Sequence, residues 1–352
     1  MKPQALFRFG KLVAINLLIF VLLLLILEIV FRLLGWGYNS GPTNQDPTYG
    51  FVHPPNYLYK MYSPSGEYGN YMVYYDSLGR RSQLPSLMKS SQKKRSIIFL
   101  GDSFTEALQV PFDSSFIGRL AHQYPSTEFF NYGVGGYSPV LFYLQCKNIL
   151  QHHKIVPSLV IMVLYSNDVR EDSTYITKAV FRKSDNELIA INGGKKNSLI
   201  AYLRKLYIAK MLKRIFVQKN FEKKKSLTRL QGRMVNRLLE ENPDLNNTLS
   251  GSYILKTDSL LKKYNIPFYI TAIPSRYKNF TKNTSETLYA EKVSAWATQH
   301  KISFIDINLS FNKAYTLNDT KYFFDIDMHF NLAGQRLMSV ILEQQLQKYF
   351  IQ

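Results

Sequence analysis

The chain has 352 residues, a formal net charge of +19 and a single cysteine, Cys146. That length holds one large domain with appendages, and one cysteine excludes an intramolecular disulfide or a cysteine-rich metal site. The six histidines show no HxxxH or HxH spacing, and the adjacent pair His152-His153 would point apart on a helix. No dedicated metal centre and no organic cofactor is expected. The positive charge is concentrated: between Lys195 and Arg237 the only acid is Glu222, and the remaining chain is mildly basic.

Leu12 to Leu27 is apolar apart from Asn16, and the run continues through Ile29, Val30 and Phe31 to Leu34. As a helix it is long enough to cross a hydrocarbon layer of about 30 Å. Glu28 and Arg32, four residues apart, can pair on one face near the membrane boundary. Lys2, Arg8 and Lys11 precede the run and only Arg32 closes it, which places residues 1–11 in the cytoplasm and the rest outside. No small-residue cleavage site follows Leu34, so an uncleaved signal anchor over 12–34 is expected rather than a signal peptide. Trp36 and Tyr38 suit the membrane interface.

Residues 35–94 are rich in Tyr, Pro, Gly, Asn and Ser and read as an irregular lead-in packed on the main domain. Tyr71-Met72-Val73-Tyr74-Tyr75 is a candidate edge strand or hairpin arm, with Gly79-Arg80-Arg81 at a turn. Its tyrosines could pack internally or line a carbohydrate groove.

From Ser96 strands alternate with helices. Candidate strands are 96–100, 128–132, 159–165, 267–272 and 302–307; candidate helices are 116–123, 139–152, 250–264, 288–300 and 332–349. The strands are continuous apolar or β-branched runs, as in strands covered on both faces, and the alternation argues for a doubly wound parallel sheet. About 178–247 breaks the rhythm as a basic, helical insertion. It reads as a solvated face, a cap over the site, or a surface for anionic lipid or another polyanion. Nucleic acid is not expected as a partner of a domain outside the cytoplasm.

Four places can carry chemistry. The apolar run Ser96–Leu100 ends in Gly101-Asp102-Ser103, which sets a serine at a strand's carboxyl edge. Asn131-Tyr132-Gly133-Val134-Gly135-Gly136 can bring backbone N–H groups close to a substrate oxygen. Tyr165-Ser166-Asn167-Asp168 offers a side-chain amide for a developing oxyanion, or simple helix caps. Asp325-Ile326-Asp327-Met328-His329 puts a carboxylate near a histidine, which can then take a proton from serine. In an open α/β sheet such loops converge on one crevice.

These residues resemble the four blocks of the SGNH/GDSL hydrolase family. Gly101-Asp102-Ser103 resembles its nucleophile block and Gly136 its oxyanion-hole glycine. Tyr165-Ser166-Asn167-Asp168 is similar to its Gly-x-Asn-Asp block, with Tyr165 in the glycine's place, and His329 resembles its base. The family's usual acid position, three residues before the histidine, is Ile326 here. Asp327 resembles the Asp-x-His variant, with Asp325 as the fallback. The resemblance covers residues 95–352, interrupted by the basic insertion. It implies a flavodoxin-like three-layer α/β/α fold and a serine esterase with Ser103, His329 and Asp327 as its triad. The oxyanion would be held by the Ser103 and Gly136 N–H groups and by Asn167. Expected substrates are O-acyl esters, acetyl esters among them, of envelope carbohydrate in the periplasm or outside a bacterial cell, or a lipid. An O-acyltransferase using the same site, or a non-catalytic envelope scaffold, are the alternative readings.

Overall fold

The computed structural model describes residues 3–34, 36, 41–63, 65–87, 95–152, 155–192, 203, 206–224, 245–274, 288–318 and 321–351. Tyr38, His153 and residues 193–202, 204–205 and 225–244 of the basic insertion lie outside the described residues. The apolar N-terminal run is one helix, Pro3–Leu34, and residues 8–34 are long and apolar enough to cross a membrane.

Residues 35–94 are more regular than their composition predicts. β1 (Asn44–Asp46) and β2 (Gly50–Val52) form a small antiparallel ribbon. β3 (Tyr57–Tyr62) and β4 (Gly69–Tyr75) form a hairpin, and β5 (Arg81–Ser82) pairs antiparallel with β4. The reason is a period-2 pattern: Tyr59 and Met61 on β3, and Val73 and Tyr75 on β4, alternate inward and are buried together. Tyr59 and Tyr75 therefore pack rather than line a groove.

The main domain follows with β6 (Arg95–Gly101), β7 (Thr127–Asn131), β8 (Leu159–Leu164), β9 (Ala179–Phe181), β10 (Leu188–Ile191), β11 (Phe268–Ala272) and β12 (Ser303–Ile305). The principal sheet runs β12-β11-β8-β6-β7-β5-β4-β3. Its five doubly wound strands are parallel, in the order 2-1-3-4-5 from β7 to β12, which is the flavodoxin-like arrangement. β5, β4 and β3 extend it antiparallel, so the sheet is mixed: short turns join β3 to β4 and β4 to β5, and β5 meets β7 antiparallel at Arg81 and Asn131.

Helices cover both faces of the parallel part. Ile98, Leu100, Val160 and Met162 pack beneath helices Pro139–Gln151, Leu249–Lys263 and Leu288–Gln299. Ile97, Phe99, Ile161 and Val163 face helices Phe116–Gln123, Ile307–Asn318 and Leu332–Ile351. Cys146 is a buried core residue, and burial pushes its thiol up to about 12.

Two stretches differ from expectation. The strand expected over 302–307 stops at Ile305, because the Asp306 carboxylate accepts the Leu309 N–H at 3.1 Å and starts the unanticipated helix Ile307–Asn318. The insertion opens with the antiparallel pair β9–β10 rather than a helix. Its described helix, Tyr207–Lys224, docks on the N-terminal helix. There the Glu28 carboxylate accepts the Tyr207 and Ile208 N–H groups, both at 3.0 Å, and pairs with Arg32 at 2.7 Å.

Candidate active site

β6 lies between β7 and β8, although the chain visits β7 before β8. The loops leaving β6, β7 and β8 therefore open on either side of one switch point, where an α/β sheet offers its crevice. Ser103, Gly136 and Asn167 follow those three strands in turn.

β6 ends at Gly101, where a Cβ would sit 2.0 Å from the Thr105 hydroxyl oxygen, so only glycine lets the next helix start this close. Asp102 caps that one-turn helix, Ser103–Glu106, by accepting the Phe104 N–H at 2.9 Å. Ser103 is its first residue, and the Ser103 Oγ lies 2.7 Å from His329 Nε2. On the other side of the ring, His329 Nδ1 bonds Asp327 Oδ1, an oxygen that also accepts the His329 backbone N–H at 3.0 Å. Phe104, fully buried, sets its ring 4.8 Å from that of His329. The His329 and Asp327 side chains remain 15% and 21% exposed, so a small solute can reach them.

Asp327 is held from a distant part of the chain. The Tyr68 hydroxyl donates to Asp327 Oδ2 at 2.8 Å, and Glu67 accepts the Ile326 and Asp327 N–H groups at 2.8 and 2.9 Å. Burial raises the Asp327 carboxyl, but the His329 bond and charge and the Tyr68 hydroxyl outweigh it and hold it below the usual carboxylate range. Asp325 instead pairs with Lys321 at 2.9 Å on the exposed side of the loop.

The glycine loop after β7 is pinned bond by bond. Gly133 N–H donates to Asn131 Oδ1, Val134 N–H to the Gly101 carbonyl and Gly135 N–H to Glu106 Oε2. Gly136, at φ +84°, adopts a backbone that favours glycine, and its carbonyl accepts the Tyr175 hydroxyl at 2.6 Å. Asn167 stands at the N-cap of helix Asp168–Ile176, yet its side chain makes no capping bond and its buried Oδ1 has no protein partner. The Arg170 and Glu171 N–H groups of the first turn donate to the Asn167 backbone carbonyl at 3.1 Å, and Asp168 Oδ2 accepts the Tyr165 N–H at 3.0 Å.

Sequence reading missed what lies underneath. Glu106, at the end of the Ser103 helix, is buried with His53 at 2.9 Å and accepts the Tyr75 hydroxyl at 2.8 Å. Burial opposes the Glu106 charge, but His53, Tyr75 and the Gly135 N–H together bring its carboxyl below the usual range. Burial lowers His53 and the Glu106 charge more than reverses that, so its imidazole is shifted up. One carboxylate thus ties the helix of Ser103 to the glycine loop. Fully buried Arg81 holds the far end of that helix through the carbonyls of Glu106, Ala107 and Val110. Burial also pushes Asp102 up to about 6, and burial together with the Asp102 charge raises Asp168 well above the usual range. Among the described residues no cluster of three potential metal ligands occurs.

No family model and no curated protein matches this chain. Solved structures do. The likeness is to GDSL hydrolases and acetylxylan esterases. A lipolytic G-D-S-L family protein from Veillonella parvula is 16% identical, with 72% of this chain and 98% of that chain covered and a TM-score of 0.41. The acetyl xylan esterase AlAXEase is 15% identical, with 71% and 99% covered and a TM-score of 0.42. An acetylxylan esterase from Geobacillus stearothermophilus is 14% identical, with 73% and 96% covered and a TM-score of 0.38.

Proposed function

We propose that the protein is a membrane-anchored serine esterase that cleaves O-acyl esters, acetyl esters of envelope polysaccharide being the leading class. The observation that carries this reading is the Ser103–His329–Asp327 relay, with Ser103 Oγ 2.7 Å from Nε2 and the opposite ring nitrogen on a carboxylate. Asp327 fixes the tautomer that leaves Nε2 free to accept a proton. Ser103 Oγ attacks the ester carbonyl as His329 takes its proton, and the carbonyl electron pair moves onto oxygen. The Ser103 and Gly136 N–H groups and the Asn167 carboxamide hold that oxyanion. Collapse expels the alcohol, which leaves with the proton from His329, and water then attacks the acyl-serine by the same route.

Residues 1–11 would lie in the cytoplasm and the catalytic domain outside, following the bias of basic residues around the apolar helix. Retention of that helix is supported by its Glu28, which holds the Tyr207–Lys224 helix of the folded domain. The acetyl carbohydrate assignment draws on what the acetylxylan esterases with a similar architecture are named for, and on the proposed location outside the cytoplasm.

The test is covalent labelling of the full-length protein in detergent with a fluorophosphonate probe. Wild type is expected to label, and Ser103→Ala and His329→Ala are not. Failure of folded wild type to label at high probe concentration would remove the catalytic reading.

A further inference from the structure

The helix Tyr207–Lys224 has one side against the protein. Its Arg214 guanidinium lies 3.6 Å above the Tyr62 ring at the end of β3, and its first N–H groups are held by Glu28. The other side carries Leu212, Ile215 and Phe216, which are 63%, 43% and 68% exposed. Spacings of three and four residues put these side chains on one helix face. Leu203 and Leu206, just before the helix, are exposed as well.

What covers this face follows from where Glu28 sits. A carboxylate inside an apolar span is costly unless paired, and here Arg32 and two backbone N–H groups satisfy it. From Leu12 to Glu28 the helix rises about 24 Å, against a hydrocarbon thickness of about 30 Å. Glu28 therefore fixes the start of the second helix near the outer acyl–headgroup boundary, the depth at which amphipathic helices lie. The surrounding sequence is strongly basic, with Glu222 the only acid between Lys195 and Arg237. Charge and an exposed apolar edge beside a membrane span fit one partner, a leaflet containing anionic lipid.

We propose that the Tyr207–Lys224 helix lies on the outer leaflet of the membrane crossed by the N-terminal helix, with Leu212, Ile215 and Phe216 in the acyl boundary and exposed Lys213 beside anionic headgroups. The inference rests on the anchor reading and is independent of catalysis.

The full-length protein is reconstituted in phosphatidylethanolamine–phosphatidylglycerol vesicles with an environment-sensitive fluorophore on an introduced cysteine, Phe216→Cys or, as a mid-span reference, Phe20→Cys. Native Cys146 is buried. Quenching by lipids bearing a nitroxide near the headgroup is expected at position 216, and by a deep nitroxide at position 20. Replacing phosphatidylglycerol with phosphatidylcholine is expected to weaken quenching at 216 by about twofold or more. Quenching at 20 without quenching at 216 would overturn the proposal while leaving the anchor in place. Equal quenching at 216 in both lipid mixtures would overturn the anionic-headgroup part. No quenching at either position would remove the anchor and this inference together, whatever the esterase assay gives.

Discussion

Asn167 occupies a capping position without capping. Its side chain makes no capping bond and its buried Oδ1 has no partner in the protein, so the carboxamide is not committed to the helix start and its Nδ2 can donate to a bound oxyanion. Removing an oxyanion donor typically lowers kcat by about 10²–10³, and we expect that loss in Asn167→Ala with an unchanged far-UV circular dichroism spectrum. Near-normal turnover of the folded variant would end the assignment. Two carboxylates near His329 give a paired prediction: Asp327→Asn is expected to lose most ester hydrolysis, whereas Asp325→Asn, at an exposed carboxylate paired with Lys321, retains it. Ser103, Asn167 and His329 could be picked out from sequence because each sits in a short local pattern at an element's end. Glu106 and His53 could not. Their pairing spans more than fifty residues, and a glutamate in the short Phe104-Thr105-Glu106 stretch gives no sign that it will be buried.

At the scale of elements, the parallel strands were legible because burial on both faces leaves uninterrupted apolar runs. The hairpin β3–β4 was less so: glycine, proline and polar residues dilute its alternation, and its tyrosines are compatible with either surface or core. Helix packing above the sheet depends on one residue that no pattern marks. Asp172, buried in helix Asp168–Ile176, accepts the Ser138 and Ser250 hydroxyls and the Val140 N–H, joining the starts of two other helices. Burial pushes its carboxyl up to about 6 from an ordinary value of 3.8. The folded protein thus holds a proton that the unfolded chain releases, and this group's contribution to stability grows as pH falls from about 7 toward 4. Asp172→Asn lacks that proton linkage. The difference in Tm, wild type minus variant, is therefore expected to widen between pH 7.5 and pH 5 in calorimetry, and a constant difference would show that Asp172 does not titrate there.

Across the whole molecule, the N-terminal segment is part of the working domain. β3 and β4 continue the main sheet, the end of β3 receives Arg214 of the basic helix, and the tip beyond β3 reaches the loop of His329. Glu67 and Asp327 are joined across 260 residues of sequence, which is why the support of the acid was invisible before the fold. Together the two bonds from Glu67 and the Tyr68 hydroxyl set the direction in which Asp327 presents Oδ1 to the imidazole. Glu67 bonds the backbone of the Asp327 loop and acts through Asp327, as a positioning residue. A displacement of about 1 Å at a reacting group can reduce rate about 10²-fold, and a loss of that order in kcat is expected for Glu67→Ala with KM little changed. Glu67→Gln keeps one acceptor oxygen for the Ile326 or Asp327 N–H and should fall between wild type and the alanine variant. If both variants raise KM and leave kcat intact, the hairpin tip shapes substrate binding instead, and the orientation of Asp327 comes from its own loop.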